Sequence, residues 1–310
     1  MHKSARRALT ATEMQHFDVL FDHGEPSTIE HPAYAPYGQL SFPQPHSDRP
    51  WVYSNFVQSL DGVASLKGKY ASGSHISCSR EDRWLMDLLR AHADALLLGI
   101  NTLVEETQLA RETHGASARG PVYAIEDELC LELRERLGVG REMNIFVTGA
   151  CGMQLRDFRV FDGDRVDSAI ITTKAGAQRL AQLRSHPHVK VVVAGEKEFV
   201  DLPQAMKILR TELGIKRLLC EGGPTLYGYM ARSGLIDEKF LTISPVKVGI
   251  IIPPEQEPSA AERANPPKLR PTIFGAPGFT KDEATWWRWL SCRRVGDHQF
   301  NRYRKKVSRF

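Results

Sequence analysis

Two stretches of this 310-residue chain carry residue types suited to holding an anion. The heptapeptide Cys220-Glu221-Gly222-Gly223-Pro224-Thr225-Leu226 has the form of a strand, a glycine turn and a helix start. Paired glycines permit positive φ and let a ligand come close to the main chain. The free N–H groups of the following helix, aligned with its dipole, favour a phosphate. Pro224 removes no useful donor, because a first-turn N–H lacks an intrahelical partner in any case. Read alone, the turn is either such a cradle or simply a turn, and it is not the G-x-G-x-x-G fingerprint. Glu221 is a carboxylate at the end of a buried strand and needs a partner: either a salt bridge or helix terminus, or a polar group of a ligand. Leu98-Gly99-Ile100-Asn101-Thr102 is a second glycine-marked strand end.

The elements that must place these residues alternate along the chain. Trp51–Leu60 is strand-like up to the Asp61-Gly62 turn, where Asp61 reads as structural through Asx-type bonding. Ser79-Arg80-Glu81-Asp82 has capping-box spacing and opens a helix with Trp84, Leu85, Leu88 and Leu89 on one face. Apolar strands follow at 95–98, 144–148, 169–173, 189–194 and 218–220, with helices after 173 and over 202–213 and 225–232. Late strands at 239–244 and 295–304 flank a Pro-rich surface loop, about residues 253–277, with no helix between them. Repeated βα units predict an α/β fold with a mostly parallel sheet covered by helices on both faces, and the late pair predicts an antiparallel C-terminal edge. Ligands in such sheets bind beyond the carboxyl ends of the strands. Residues 1–48 read as an N-terminal extension, with a short helix around Met14–Phe21 and then a Pro- and Tyr-rich arm anchored by Tyr34, Tyr37 and Phe42.

Composition closes off other classes. Hydrophobic residues make up 42% and charged residues 25%, and the net charge of +4 is too small to argue for a nucleic-acid partner. Much of that excess sits in Arg302, Arg304, Lys305, Lys306 and Arg309, which read as a solvated tail. No apolar run approaches the ~18 residues of a membrane span, and no secretory signal is evident at Met1–Thr10, so a cytoplasmic chain is expected. The five cysteines are scattered without a C-x-x-C, which predicts reduced thiols and no zinc site.

Several separated motifs agree in order with one known group: RPWVYSNFVQSLDGVAS (49–65), SHIS (74–77), LLRAHADALLLGINT (88–102), CEGGPTL (220–226) and GLIDEKFLTISPVKVG (234–249). They resemble the riboflavin-biosynthesis reductase domain, a dihydrofolate-reductase-like fold, over about residues 49–306. The resemblance implies a reductase domain over 49–310 that reduces the ribosyl group of a pyrimidine ribosylamine 5′-phosphate to ribityl, by NADPH-dependent hydride transfer to C1′. It also implies a homodimer, since the family is typically dimeric. Carried over by position, Val57, Gly99, Thr102, Glu106 and Gly222, Gly223, Pro224, Thr225 and Leu226 would contact the cofactor. Ser74, Arg90, Leu109, Arg111 and Glu221 would contact substrate, with Glu221 as the catalytic candidate. Arg90 reads equally as a helix-surface ion pair. Thr148 or the run Thr172-Thr173-Lys174 are candidates for reading the adenosine 2′-phosphate.

The family's Asp-Asp/Asn-Pro-x-Leu-Thr-x-Arg segment is here Val104-Glu105-Glu106-Thr107-Gln108-Leu109-Ala110-Arg111, without the proline, and its following Val-Val-Asp-Ser strand is replaced by Tyr123-Ala124-Ile125-Glu126-Asp127. Those changes fall on the substrate half. They leave open a paralogue reducing another substrate such as a pterin, and a nucleotide-binding module without turnover. The family's fused zinc deaminase has no counterpart in residues 1–48.

Overall fold

A computed structural model describes residues 14–66, 73–149, 155–181, 186, 188–253 and 267–306. Part of the expected Pro-rich loop, 254–266, lies outside them, as does Arg309. The strands are β1 (Asp18–Asp22), β2 (Trp51–Gln58), β3 (Ala95–Gly99), β4 (Met143–Val147), β5 (Asp167–Thr172), β6 (Lys190–Val193), β7 (Arg217–Cys220), β8 (Glu238–Ile243), β9 (Trp287–Val295) and β10 (His298–Lys305). The helices are α1 (Ser74–Ser77), α2 (Arg80–Ala91), α3 (Ile100–His114), α4 (Glu128–Arg136), α5 (Lys174–Ala181), α6 (Leu202–Thr211) and α7 (Pro224–Arg232).

The strands form one sheet in the order β1-β9-β10-β8-β2-β7-β3-β4-β5-β6. From β8 to β6 the ladders are parallel; β10 pairs antiparallel with both β8 and β9, and β1 antiparallel with β9. Alternation along each strand sorts two cores. Leu96 and Leu98 of β3 join Trp84, Leu85, Leu88 and Leu89 of α2 on one face. Ala95 and Leu97 join Ala205, Met206 and Leu209 of α6 and Met230 of α7 on the other. Helix ends follow their local chemistry: the Ser79 hydroxyl accepts from Asp82 N, and the Asp201 carboxylate from Gln204 N with Pro203 in the first turn.

Three expectations are corrected. Asp18–Asp22 is a strand, not the end of a helix; a helix of that length is marginal alone, and β9 offers it a main-chain ladder. Before the expected last strand lies another, β9, and the interval 295–304 straddles a hairpin turn in which Gly296 sits at φ +56. That is a left-handed backbone that glycine adopts freely. The basic run is not a solvated tail. Arg302 and Arg304 lie in β10 and clamp the wholly buried Glu238 of β8: Arg302 Nε to Oε2 and Arg304 Nε to Oε1, both at 2.8 Å. The Arg302 guanidinium also donates to Ser41 O and lies over Phe42 and Phe240. The N-terminal segment is thereby fastened to the sheet, with Tyr34 and Tyr37 buried beneath it.

Arg302 is 3% exposed. Replacing Glu238 with Ala would leave its charge buried and uncompensated, which costs about 3–5 kcal/mol. Urea unfolding of Glu238→Ala is expected to show a loss of that order; a change within 1 kcal/mol (about a single exposed ion pair) would show that the clamp carries no stability.

Candidate active site

β3 and β7 are neighbours in the middle of the sheet, and at their carboxyl ends the starts of α3 and α7 lie side by side. Neither helix has a side-chain cap: Gly99 and Gly223 hold the N-cap positions without a cap hydrogen bond, so first-turn N–H groups remain for another partner. Thr102 Oγ1 accepts from Gly223 N at 3.2 Å and ties the two turns together. The glycines serve differently from expectation. Neither Gly222 nor Gly223 has positive φ. A Cβ on Gly222 would stand 2.9 Å from Gly99 N and 3.0 Å from Leu98 Cα, so glycine is required because two main chains touch. A Cβ on Gly223 would meet only Thr102 Oγ1, at 2.9 Å.

Below the turns, Glu221 and Arg90 form a two-pronged ion pair, Nε to Oε1 at 3.1 Å and Nη2 to Oε2 at 2.6 Å, with both side chains under a tenth exposed. Arg90 Nη1 donates to Ala124 O. Of the readings open in the sequence, the salt bridge is therefore realised for both residues. Burial works against the Arg90 charge, but the adjacent Glu221 carboxylate more than offsets it and holds the guanidinium protonated.

The pair forms part of the floor of a cleft of about 1920 Å³. Val57, Ser74, Arg90, Thr102, Glu106, Leu109, Glu221, Gly223, Pro224 and Thr225 all line it. Gly99, Gly222 and Leu226 lie behind the turns, in contact with one another. Arg111 and Thr148 are not in the cleft lining: exposed Arg111 donates to Ala118 O, and Thr148 is buried at the end of β4. The candidates for a 2′-phosphate are engaged elsewhere, with Thr172 Oγ1 on Gly149 O, Thr173 Oγ1 on Lys197 O and Lys174 beside Glu196. Asp61 is structural, but over a long range: it accepts from Ser59 Oγ and from the N–H groups of Val248 and Gly249. Those donors hold its carboxyl down to about 2.

Two cleft residues escaped the sequence reading. Tyr123 was legible only as a departure; its hydroxyl donates to Glu106 Oε2 at 2.9 Å. Asp87 accepts from Arg83 and from the N–H groups of Glu126 and Asp127. The spacing Arg83-x-x-x-Asp87-x-x-Arg90 on one helix face was the available signal.

Helix N-termini open to an anion at the strand ends of a mostly parallel sheet, above a buried polar floor, define an α/β protein built to bind a phosphorylated nucleotide or cofactor beside a second ligand. The chain belongs to the RibD C-terminal domain family, whose model matches residues 50–275. It is 30% identical over 203 residues to the 2,5-diamino-6-ribosylamino-4(3H)-pyrimidinone 5′-phosphate reductase of Methanothermobacter thermautotrophicus, covering 65% of this chain and 80% of that protein. Among solved structures it resembles a pyrimidine reductase-like protein of Corynebacterium diphtheriae (21% identity, TM-score 0.58, 84% of this chain and 94% of that one). It also resembles RibD of Acinetobacter baumannii (18% identity, TM-score 0.57, 84% of this chain), of which it spans 59%. These likenesses bear out the expected α/β architecture of the RibD type.

The glycine contacts separate two substitutions. Gly222→Ala must push main chains apart, an overpacking cost of about 1–3 kcal/mol, whereas Gly223→Ala displaces only the Thr102 side chain. Thermal denaturation is expected to show a clear drop for the first and near-parental melting for the second; equal melting would mean the β3–β7 contact is not tight.

Proposed function

We propose that this chain is an NADPH-dependent reductase of a pyrimidine ribosylamine 5′-phosphate, converting ribosyl to ribityl in riboflavin synthesis. The observation that carries the reading is the pairing of two uncapped helix N-termini at Thr102–Gly223 with the buried Arg90–Glu221 pair across one cleft. The printed activity of the archaeal relative gives it its substrate.

The residues present fit the cofactor. The first-turn N–H groups of α3 and α7, with Thr102 and Gly223–Leu226, suit its phosphates, and Val57 at the end of β2 borders the same space. Reduced nicotinamide supplies the hydride when bound. The chain's own residues bind and orient. Glu221, held by Arg90 in one rotamer, presents a fixed acceptor edge to the substrate's ring or sugar. Trp84, Leu98 and Leu109 make part of the wall apolar and limit water. Two polar atoms of cleft residues, Asn55 Oδ1 and Trp84 Nε1, have no partner in the protein and suit a polar ligand. With Arg90 committed to Glu221 and Arg111 outside the cleft, neither is assigned to the substrate's phosphate.

The reading places the chain in the cytoplasm; no helix among the described residues is long and apolar enough to cross a membrane. It also makes the chain a homodimer. Support comes from the β1–β9–β10 wing, where Trp289 stacks on Tyr303 and meets Phe21 edge-on while remaining 45% exposed.

Purified protein is expected to oxidise NADPH in the presence of the phosphorylated pyrimidine and to rescue a riboflavin-requiring strain. Glu221→Gln should lower kcat by at least about tenfold while leaving NADPH affinity by calorimetry unchanged. A variant that loses stability but keeps its turnover would make Glu221 purely structural. In sedimentation, Trp289→Glu is expected to shift a dimer toward monomer; a parent that sediments as a monomer removes that part of the reading.

A further inference from the structure

The segment 121–127, where the sequence departs from its family, is a strap rather than a strand. Side chains fasten its main chain from below. Asn144 of β4 takes Tyr123 at both ends, accepting from its N–H at 3.3 Å and donating to its carbonyl at 2.9 Å. Ala124 O accepts from Arg90, and Ile125 N donates to Glu142. Asp87 takes the N–H groups of Glu126 and Asp127. The fixed main chain aims the buried Tyr123 side chain at α3, where its hydroxyl donates to Glu106 Oε2 at 2.9 Å. Both residues line the cleft.

We propose that Tyr123 is a positioning residue for Glu106, and that together they present an uncharged, hydrogen-bond-donating carboxyl to the non-ionic polar part of the substrate, its ring carbonyl or sugar hydroxyls, and not to its phosphate. This deepens the reductase reading and rests on it for the identity of the ligand.

The groups around Glu106 set its charge. Arg90 on α2 is the nearby cation, but Glu221 at the end of β7 takes it in a two-pronged pair, and Asp87 stands behind it at 3.9 Å. Glu105 is the next residue on α3, and Tyr123 is the donor from the strap. A second full negative charge at Glu106 would face Glu221 across a cation already spent. Burial, with the Glu221 charge added, pushes the Glu106 carboxyl up, and the Tyr123 hydroxyl offsets this in part. Burial and the neighbouring Glu106 raise the Tyr123 hydroxyl well above its ordinary range, so it stays a donor. A phosphate dianion would meet two carboxyl groups here and no free cation. A ring carbonyl or hydroxyl would meet a donor.

The first test needs no ligand. Carboxyl carbons of glutamate are labelled with 13C, the Glu106 signal is assigned by its loss in Glu106→Gln, and the free protein is titrated by NMR. Glu106 is expected to ionise above the exposed glutamates. In Tyr123→Phe it should ionise higher still, by about half a pH unit or more, because the donor that favours the carboxylate is gone. Thermal melting checks that Tyr123→Phe is folded. The second test is kinetic: KM for the phosphorylated pyrimidine should rise with pH above the Glu106 midpoint by up to about tenfold per unit. KM for NADPH should stay flat, and the rise should move upward in Tyr123→Phe. A midpoint among the exposed glutamates, no movement in Tyr123→Phe, or a parallel rise of both KM values overturns the proposal. A chain that reduces no pyrimidine overturns the reductase reading instead, and the free-protein titration still decides whether the pair exists.

Discussion

The buried ion pair between Arg90 and Glu221 is the constraint on which the rest of the site depends. It joins the last turn of a helix on one face of the sheet to the tip of a central strand, and its third prong reaches the main chain of the strap. Two charges taken out of water this way are costly unless every donor and acceptor is matched. Here the guanidinium meets the carboxylate in fork geometry and spends a further N–H on Ala124. The pair therefore fixes the relative placement of α2, β7 and residues 121–127, three parts of the chain remote in sequence. It also removes the cleft's most buried cation from competition for anions, so that charge recognition passes to the helix N-termini on the opposite side.

A similar logic runs through the C-terminal wing. Glu238 takes two arginines from β10, and Arg293 of β9 reaches Asp22 of β1 and the carbonyl and ring of Tyr37. The N-terminal segment is held by arginine forks rather than by an apolar interface alone. Such bonds are directional, and they set how the arm crosses the sheet edge in a way that greasy contacts would not.

What could be read from the sequence was local. Ser79 and Asp201 announce their helices because a cap is a contact between residues three apart, and the strands of the parallel region announce themselves by continuous apolar runs. The glycine turn after β7 was legible as a close-approach site, but not that the neighbour is the protein's own β3. β1 was missed because its partner lies some 270 positions away along the chain, where register Asp18↔Arg294 gives no signal in a short window. The basic run near the end was misread for the same reason: Arg302 looks solvated until Glu238, on a neighbouring strand, is placed under it. Glu106 and Tyr123 meet across a loop whose shape is dictated by side-chain fasteners, and no periodicity encodes such a shape.

The two walls of the cleft differ in how they are built. At Gly222 main chain rests on main chain, so that wall has no side chain to exchange. The wall formed by 121–127 hangs from Asn144, Glu142, Asp87 and Arg90, individual side chains that can be traded one at a time without breaking a sheet. Evolutionary change in what the cleft accepts is thus channelled to one side: the cofactor-facing wall is inherited as a unit, and the opposite wall is where the lineage can experiment.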